Sequence, residues 1–182
     1  MTRALLISLF LLLAASAVRA VDQAPTAIDA PKKLAPDERK RRFEALKKEL
    51  EAFKPGPDAE REETLGYLEQ VLNSSTKFAK ENPQTPEGFE AAASGALLLA
   101  GKGHPKSGDL AQLALDVAPT AGIDLRQIAV CWLLVGNSKA SAGDFAAARA
   151  AIDKMKDLAP ELHASAIKQL DEFEKRAKAG KQ

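Results

Sequence analysis

From Asp37 onward the chain repeats one arrangement: apolar residues return every three or four positions, and each such stretch stops at glycine or proline. Phe43, Leu46, Leu50 and Phe53 form the first stripe. It follows Pro36-Asp37-Glu38, where two acids suit the positive start of a helix, and it ends at Lys54-Pro55-Gly56-Pro57. Asp58 opens a second helix, with Leu65, Leu68, Val71 or Leu72, and Phe78 inward, that ends near Asn82-Pro83. Thr85-Pro86-Glu87 is a third start, combining a hydroxyl cap, proline at the first helical position and an acid in the first turn. Ala91, Ala92, Ala93, Ala96 and Ala100 make this helix slim enough for a neighbour to approach closely before it stops in Gly101-Lys102-Gly103-His104-Pro105.

A short fourth helix follows Gly108-Asp109 and stops at Pro119. Asp124, with Gln127 three residues on, resembles a capping box. The run Ile128 to Val135 (IAVCWLLV) is apolar on every side; the cap before it and the lack of alternation predict a helix enclosed by neighbours rather than a strand. Phe145, Ala148, Ile152, Met155 and Ala159 form the next stripe. Pro160-Glu161 starts a last helix with Leu162, Ala166, Leu170, Phe173 and Ala177 inward, running out at Gly180. The fold class predicted is all-α. A domain over 37–180 holds three antiparallel hairpins, about 37–82, 86–119 and 123–159, and a capping helix over 160–178.

The first twenty residues follow other rules. Arg3 supplies a positive start, Ala4 to Val18 an apolar run, and Val18-Arg19-Ala20 small residues at a cleavage point, the layout of a signal peptide over residues 1–20. The run is short for a spanning helix, which needs about twenty residues. Export to the periplasm or the medium, with cleavage after Ala20, is the expectation. Residues 21–36, with three prolines among alanines and no apolar period, are expected to be a flexible tether.

Composition removes several function classes. The whole chain carries 26 basic and 25 acidic side chains. Cutting after Ala20 removes Arg3 and Arg19 and leaves 24 against 25, so no broad field favours nucleic acid or anionic lipid. Aromatic residues are 5% of the chain, too few for a base-stacking platform. Cys131 is the single cysteine, so no internal disulfide can form and packing alone must stabilise the fold.

Gly-Asp-hydrophobic-Ala occurs twice, as Gly108-Asp109-Leu110-Ala111 and Gly143-Asp144-Phe145-Ala146, thirty-five residues apart. That period calls for testing a repeat architecture. Residues 129–162 resemble one tetratricopeptide repeat in register. Trp132 stands where the family has its tryptophan, Val135-Gly136 where it has leucine-glycine, Gly143-Asp144-Phe145 at its turn, Ala148 at its packing alanine and Pro160 at its terminal proline. Two positions depart from the pattern: Lys139 replaces a usual aromatic and Met155 a common alanine. The unit near 86–122 matches weakly, and residues 37–82 only as a helical pair. The resemblance implies a short right-handed stack of about three hairpins, with the last helix as the solvating cap.

No catalytic constellation can be assembled from the chain. Cys131 lies among Val130, Trp132 and Leu133 and is expected in the core. His104 and His163 have no other histidine or cysteine at ligand spacing and are expected on the solvated surface. In Gly101 to Ser107, Pro105 replaces the glycine that a phosphate loop needs before Lys-Ser. The basic run Arg39-Lys40-Arg41-Arg42 is interleaved with acids and reads as a solvated face. Asn73-Ser74-Ser75 has the form of a glycosylation sequon.

The expected function is therefore non-enzymatic, with no cofactor and no metal: an exported scaffold or adaptor that holds a protein or peptide partner. Nucleic acid is not expected as a partner, nor is a membrane apart from a leader left uncleaved. The family register would place Val130, Leu133, Asn137, Ala140 and Ser141 along the partner-binding groove. The alternative is an accessory helical subunit working with a separate envelope enzyme, thioredoxin-like or a cell-wall hydrolase.

Overall fold

The computed structural model describes residues 34–56 and 59–179. The leader, its cleavage point and the tether as far as residue 33 lie outside the described residues, as does Asp58. Seven helices follow in order: α1 Pro36–Ala52, α2 Arg61–Glu81, α3 Pro86–Gly101, α4 Ser107–Val117, α5 Leu125–Ser141, α6 Phe145–Asp153 and α7 Pro160–Ala179. Among the described residues the regular structure is entirely helical. No helix among them is long and apolar enough to cross a membrane.

Local chemistry sets these boundaries. Pro36, placed by sequence at the end of the tether, is the first residue of α1, where its missing N–H costs nothing. Thr85 caps α3 by accepting from the Gly88 N–H at 3.1 Å, and its own hydroxyl donates to the Asn82 carbonyl at 2.7 Å. Asp124 caps α5 through the Arg126 N–H at 2.9 Å, and Asp144 caps α6 through the Ala147 N–H at 3.0 Å. The sixth helix is shorter than its stripe suggests. Beyond Asp153 the chain tightens into three-residue turns, with the Met155 N–H on the Ile152 carbonyl and the Leu158 N–H on the Met155 carbonyl.

Helices α3 and α5 end in the same way. The Gly103 N–H meets the Ala100 carbonyl and the His104 N–H meets the Leu99 carbonyl; Gly143 and Asp144 repeat the pair onto Ala140 and Lys139. Both glycines sit in the left-handed region, at φ +67° and +82°. This is a Schellman stop, in which the residue after the cap needs positive φ. Gly108 is not in a turn. It is the second residue of α4 and is buried, because the fourth helix begins before it at Ser107.

Each helix packs on its sequence neighbour, and α1 also meets α3, α2 meets α4, α3 meets α5, and α5 meets α7. The main core draws Tyr67, Leu68 and Val71 from α2, Phe89, Ala96 and Leu99 from α3, Leu110 and Ala114 from α4, and Cys131 and Val135 from α5. A second cluster joins Ala129, Ala148, Ile152, Met155, Ala166 and Leu170. Trp132 packs against both, so one half-buried ring ties the two cores together. Burying each large side chain is worth about 2 kcal/mol, so the two cores supply most of the stabilisation.

Three stripe residues lie outward instead: Phe53, Leu65 and Phe173 are exposed. Phe53 falls just past the last turn of α1, and Leu65 precedes Tyr67, the first buried residue of α2. Phe173 reaches only the edge of the Phe145 ring, with centroids 5.9 Å apart.

Candidate functional site

A concavity lies between the α3–α4 turn and the C-terminal half of α5. It is a cleft of about 500 Å³. From α5 it is lined by Leu134, Asn137, Ser138 and Ser141, which recur at three and four residues and therefore share one face. His104 and Ser107 face them from the opposite wall, with Ala100 and Leu134 supplying apolar floor. The Schellman stop of α3 positions this wall, because it turns the chain back at Gly103 and leaves His104 beside α5.

Small residues let the wall approach so closely. A methyl group at Gly108 would collide with Ser138 Cβ and Oγ, so α4 and α5 touch there almost backbone to backbone. Gly136 serves α5 against α6 in the same manner, for a Cβ there would stand 2.7 Å from Ile152 Cγ1 and 3.2 Å from the Ala148 carbonyl oxygen. Ala148 is itself fully buried at that crossing.

The five groove residues read from sequence separate in the structure. Asn137 and Ser141 are exposed and line the cleft. Leu133 is half-buried and packs on the second cluster, and Val130 is half-buried outside the cleft. Ala140 is 6% exposed within the second cluster, so it is core rather than lining. The lining face is thus turned toward Leu134 and Ser138, which the family register does not indicate. Adding four to Leu134 along the helical period would have found Ser138; nothing in the sequence pointed to the His104 wall.

His104 is not solvated surface, for its side chain is only 9% exposed. Its Nδ1 accepts from the Lys106 N–H at 3.3 Å, which leaves the hydrogen on Nε2, 3.6 Å from Glu69 Oε1. One ring nitrogen thus closes the α3–α4 turn on its own backbone, and the other lies near the Glu69 carboxylate of α2. His163 is likewise drawn in, with Nε2 3.1 Å from Asp153 Oδ1, where it links the start of α7 to the end of α6.

The cleft offers hydroxyls, one amide and apolar floor. Such a set can hydrogen-bond a polypeptide backbone and seat a small apolar side chain, but it holds no activated nucleophile. Cys131 is buried at 1% exposure, and loss of solvent pushes its thiol up to about 12. No group of three or more histidine, cysteine or acidic residues converges on a metal position among the described residues. Asn73 is exposed, but Ser75 of the same sequon is buried mid-helix against Gly95.

A second hollow of about 470 Å³ lies between α6 and α7 beside Phe145, Arg149 and Glu174. Arg149 is already committed there, donating to Asp171 Oδ1 at 2.6 Å and to Glu174 Oε2 at 3.5 Å. The Lys178 ammonium, and then Arg149, hold the Glu174 carboxyl below its ordinary range. The charges of this hollow satisfy one another.

Comparison of the chain with protein-family models, with curated proteins and with solved structures returns no match. The functional reading therefore rests on geometry and on the residue pattern.

Proposed function

We propose that the described helices form a tetratricopeptide-like stack of hairpins and that the chain is an exported scaffold, holding a segment of a partner protein in the cleft beside α5. The observation that carries this reading is the order of contacts. The odd-numbered helices meet in sequence, α1 with α3, α3 with α5 and α5 with α7, while each also packs on its even-numbered neighbour. Stacked hairpins present their first helices along one shared surface in this way. The cleft opens where that surface meets the α3–α4 turn, and Asn137 stands at its rim able both to donate to and accept from an extended backbone.

A photo-crosslinking amino acid placed at Ser141 tests the assignment in the envelope fraction, with the same group at exposed Lys168 on α7 as control. A discrete adduct is expected from position 141 alone, and Asn137→Arg should abolish it while leaving helicity unchanged. Identical adducts from both positions would remove the cleft from consideration. The mass of the purified chain, compared with a product beginning at Val21, tests export and cleavage.

A further inference from the structure

Helix α1 buries the fewest side chains of the seven, with α7 next at two. It runs for seventeen residues and buries only Phe43, whereas the sixteen residues of α3 bury eight. Its one buried side chain belongs to a small cluster of its own, in which Phe43 sits with Phe78 of α2 and Ala91 of α3 and Leu46 packs alongside, while half-buried Leu50 packs against the main core. The Phe43 and Phe78 rings stand 5.6 Å apart and are tilted by 42°. Two polar contacts add to the attachment, an exposed hydrogen bond from Gln70 Nε2 of α2 to Glu49 Oε1 at 3.4 Å and one ion pair. Arg39 Nε donates to Glu87 Oε2 at 2.7 Å, and the two side chains are only 16% and 18% exposed. The link from α1 to α2 runs from Phe53 to Glu60 and includes Pro55 and Gly56; it is the longest connection between the helices.

We propose that α1 is a displaceable occupant of a helix-accepting seat on α2 and α3, and that the outside ligand of this seat is an amphipathic helix carrying arginine one turn before phenylalanine. The resident helix supplies the template. Arg39, Phe43, Leu46 and Leu50 follow one another at four, three and four residues, so all four lie on one face. Glu87 is the feature that selects: a carboxylate largely withdrawn from water at the rim of an apolar notch needs a cation, and a planar guanidinium meets it best. Phe78 and Ala91 form a notch sized for a ring, which a leucine would fill without the aromatic contact. A helix with a single buried side chain, held otherwise by two half-buried leucines, one ion pair and one exposed hydrogen bond, is the element that a stronger competitor can displace. This surface is separate from the cleft beside α5, so the two readings stand or fall independently.

The test uses the full-length chain and a fluorescent synthetic peptide of residues 34–54. Phe43→Ala frees the seat from its resident, so the peptide should bind that variant at least tenfold more tightly than the wild type. Adding Glu87→Lys should cost at least tenfold, and a peptide carrying Arg39→Glu should recover the loss. Equal binding to wild type and Phe43→Ala, or binding to neither, overturns the proposal. Hydrogen exchange on the unmodified protein gives a second reading: α1 amides should open at least tenfold faster than those of α3, and exchange of the two at one rate overturns it. So would a wild-type dimer that Phe43→Ala dissociates, since α1 would then strap two copies together.

Discussion

Gly108-Asp109-Leu110-Ala111 and Gly143-Asp144-Phe145-Ala146 carry the same motif and do opposite jobs. Gly143 lies in open space with left-handed backbone, and Asp144 stands outside the helix it caps. Gly108 has ordinary helical backbone and is sealed against Ser138, while Asp109 is an exposed residue of the first turn, 2.9 Å from Lys106 Nζ. The turn that corresponds to Gly143 is Gly103, forty residues earlier rather than thirty-five. A four-residue motif specifies composition, whereas the hydrogen-bonded stop of the preceding helix specifies position. At Gly143 the glycine is needed for its dihedral angle, and at Gly108 for its missing side chain.

The difference is broken most forcefully by Gly108→Ala. In an isolated helix this change is favourable by about 1 kcal/mol. Here the new methyl group meets Ser138 Cβ, which cannot swing away, so α4 and α5 must part. Overpacking of this kind costs roughly 1–3 kcal/mol or more, and a net loss of about 2 kcal/mol is expected in chemical denaturation. Adding Ser138→Gly should return most of it, because the collision needs both side chains. A double-mutant cycle with no coupling would show that the crossing yields by some other route.

Gly143→Ala comes next, with an expected loss of about 1 kcal/mol from forcing a side chain into left-handed backbone. Nothing surrounds the position, so no collision adds to it. Gly103→Ala should cost the same within error, since the two stops share both hydrogen bonds and open surroundings. Unequal losses would mean that the two helix ends are not equivalent, and the forty-residue correspondence between α3 and α5 would fail.

The residue pattern explains why some of this was legible in advance. Helix starts were readable because a cap is a local event: Thr85 and Asp144 each need only an N–H three residues on. The apolar run over 128–135 reads as enclosed helix, and Cys131, Leu134 and Val135 are indeed buried. The register of Gly108 was not readable, because it depends on Pro105 and Lys106 lengthening the turn before α4, a consequence of where α5 already lies. The lining of the cleft was half readable. Asn137 and Ser141 follow from the register of the family resemblance, but Ser138 and Leu134 line it because the His104 turn leans on that side of α5. His104 shows the same limit: a histidine between glycine and proline looks solvated until Glu69 and Lys106 are placed around it.

The smallest expected effects fall on the two aspartates. Asp144 accepts from the Ala147 N–H at 3.0 Å, satisfying one of the N–H groups that the first turn of α6 would otherwise leave without a partner. Asp144→Ala should therefore cost about 1 kcal/mol, and Asp144→Asn almost nothing, because an amide oxygen caps as well as a carboxylate. Asp109 touches no backbone N–H; it pairs with Lys106 across exposed surface, and its hydrogen bond and charge hold that ammonium's pKa above the ordinary value. Its hydrogen bond and charge are both open to water and salt, so Asp109→Ala should leave the denaturation midpoint within error at physiological ionic strength. Equal losses at Asp109 and Asp144 would mean that both residues cap, and Gly108 would then have to sit at the turn where the thirty-five-residue spacing placed it.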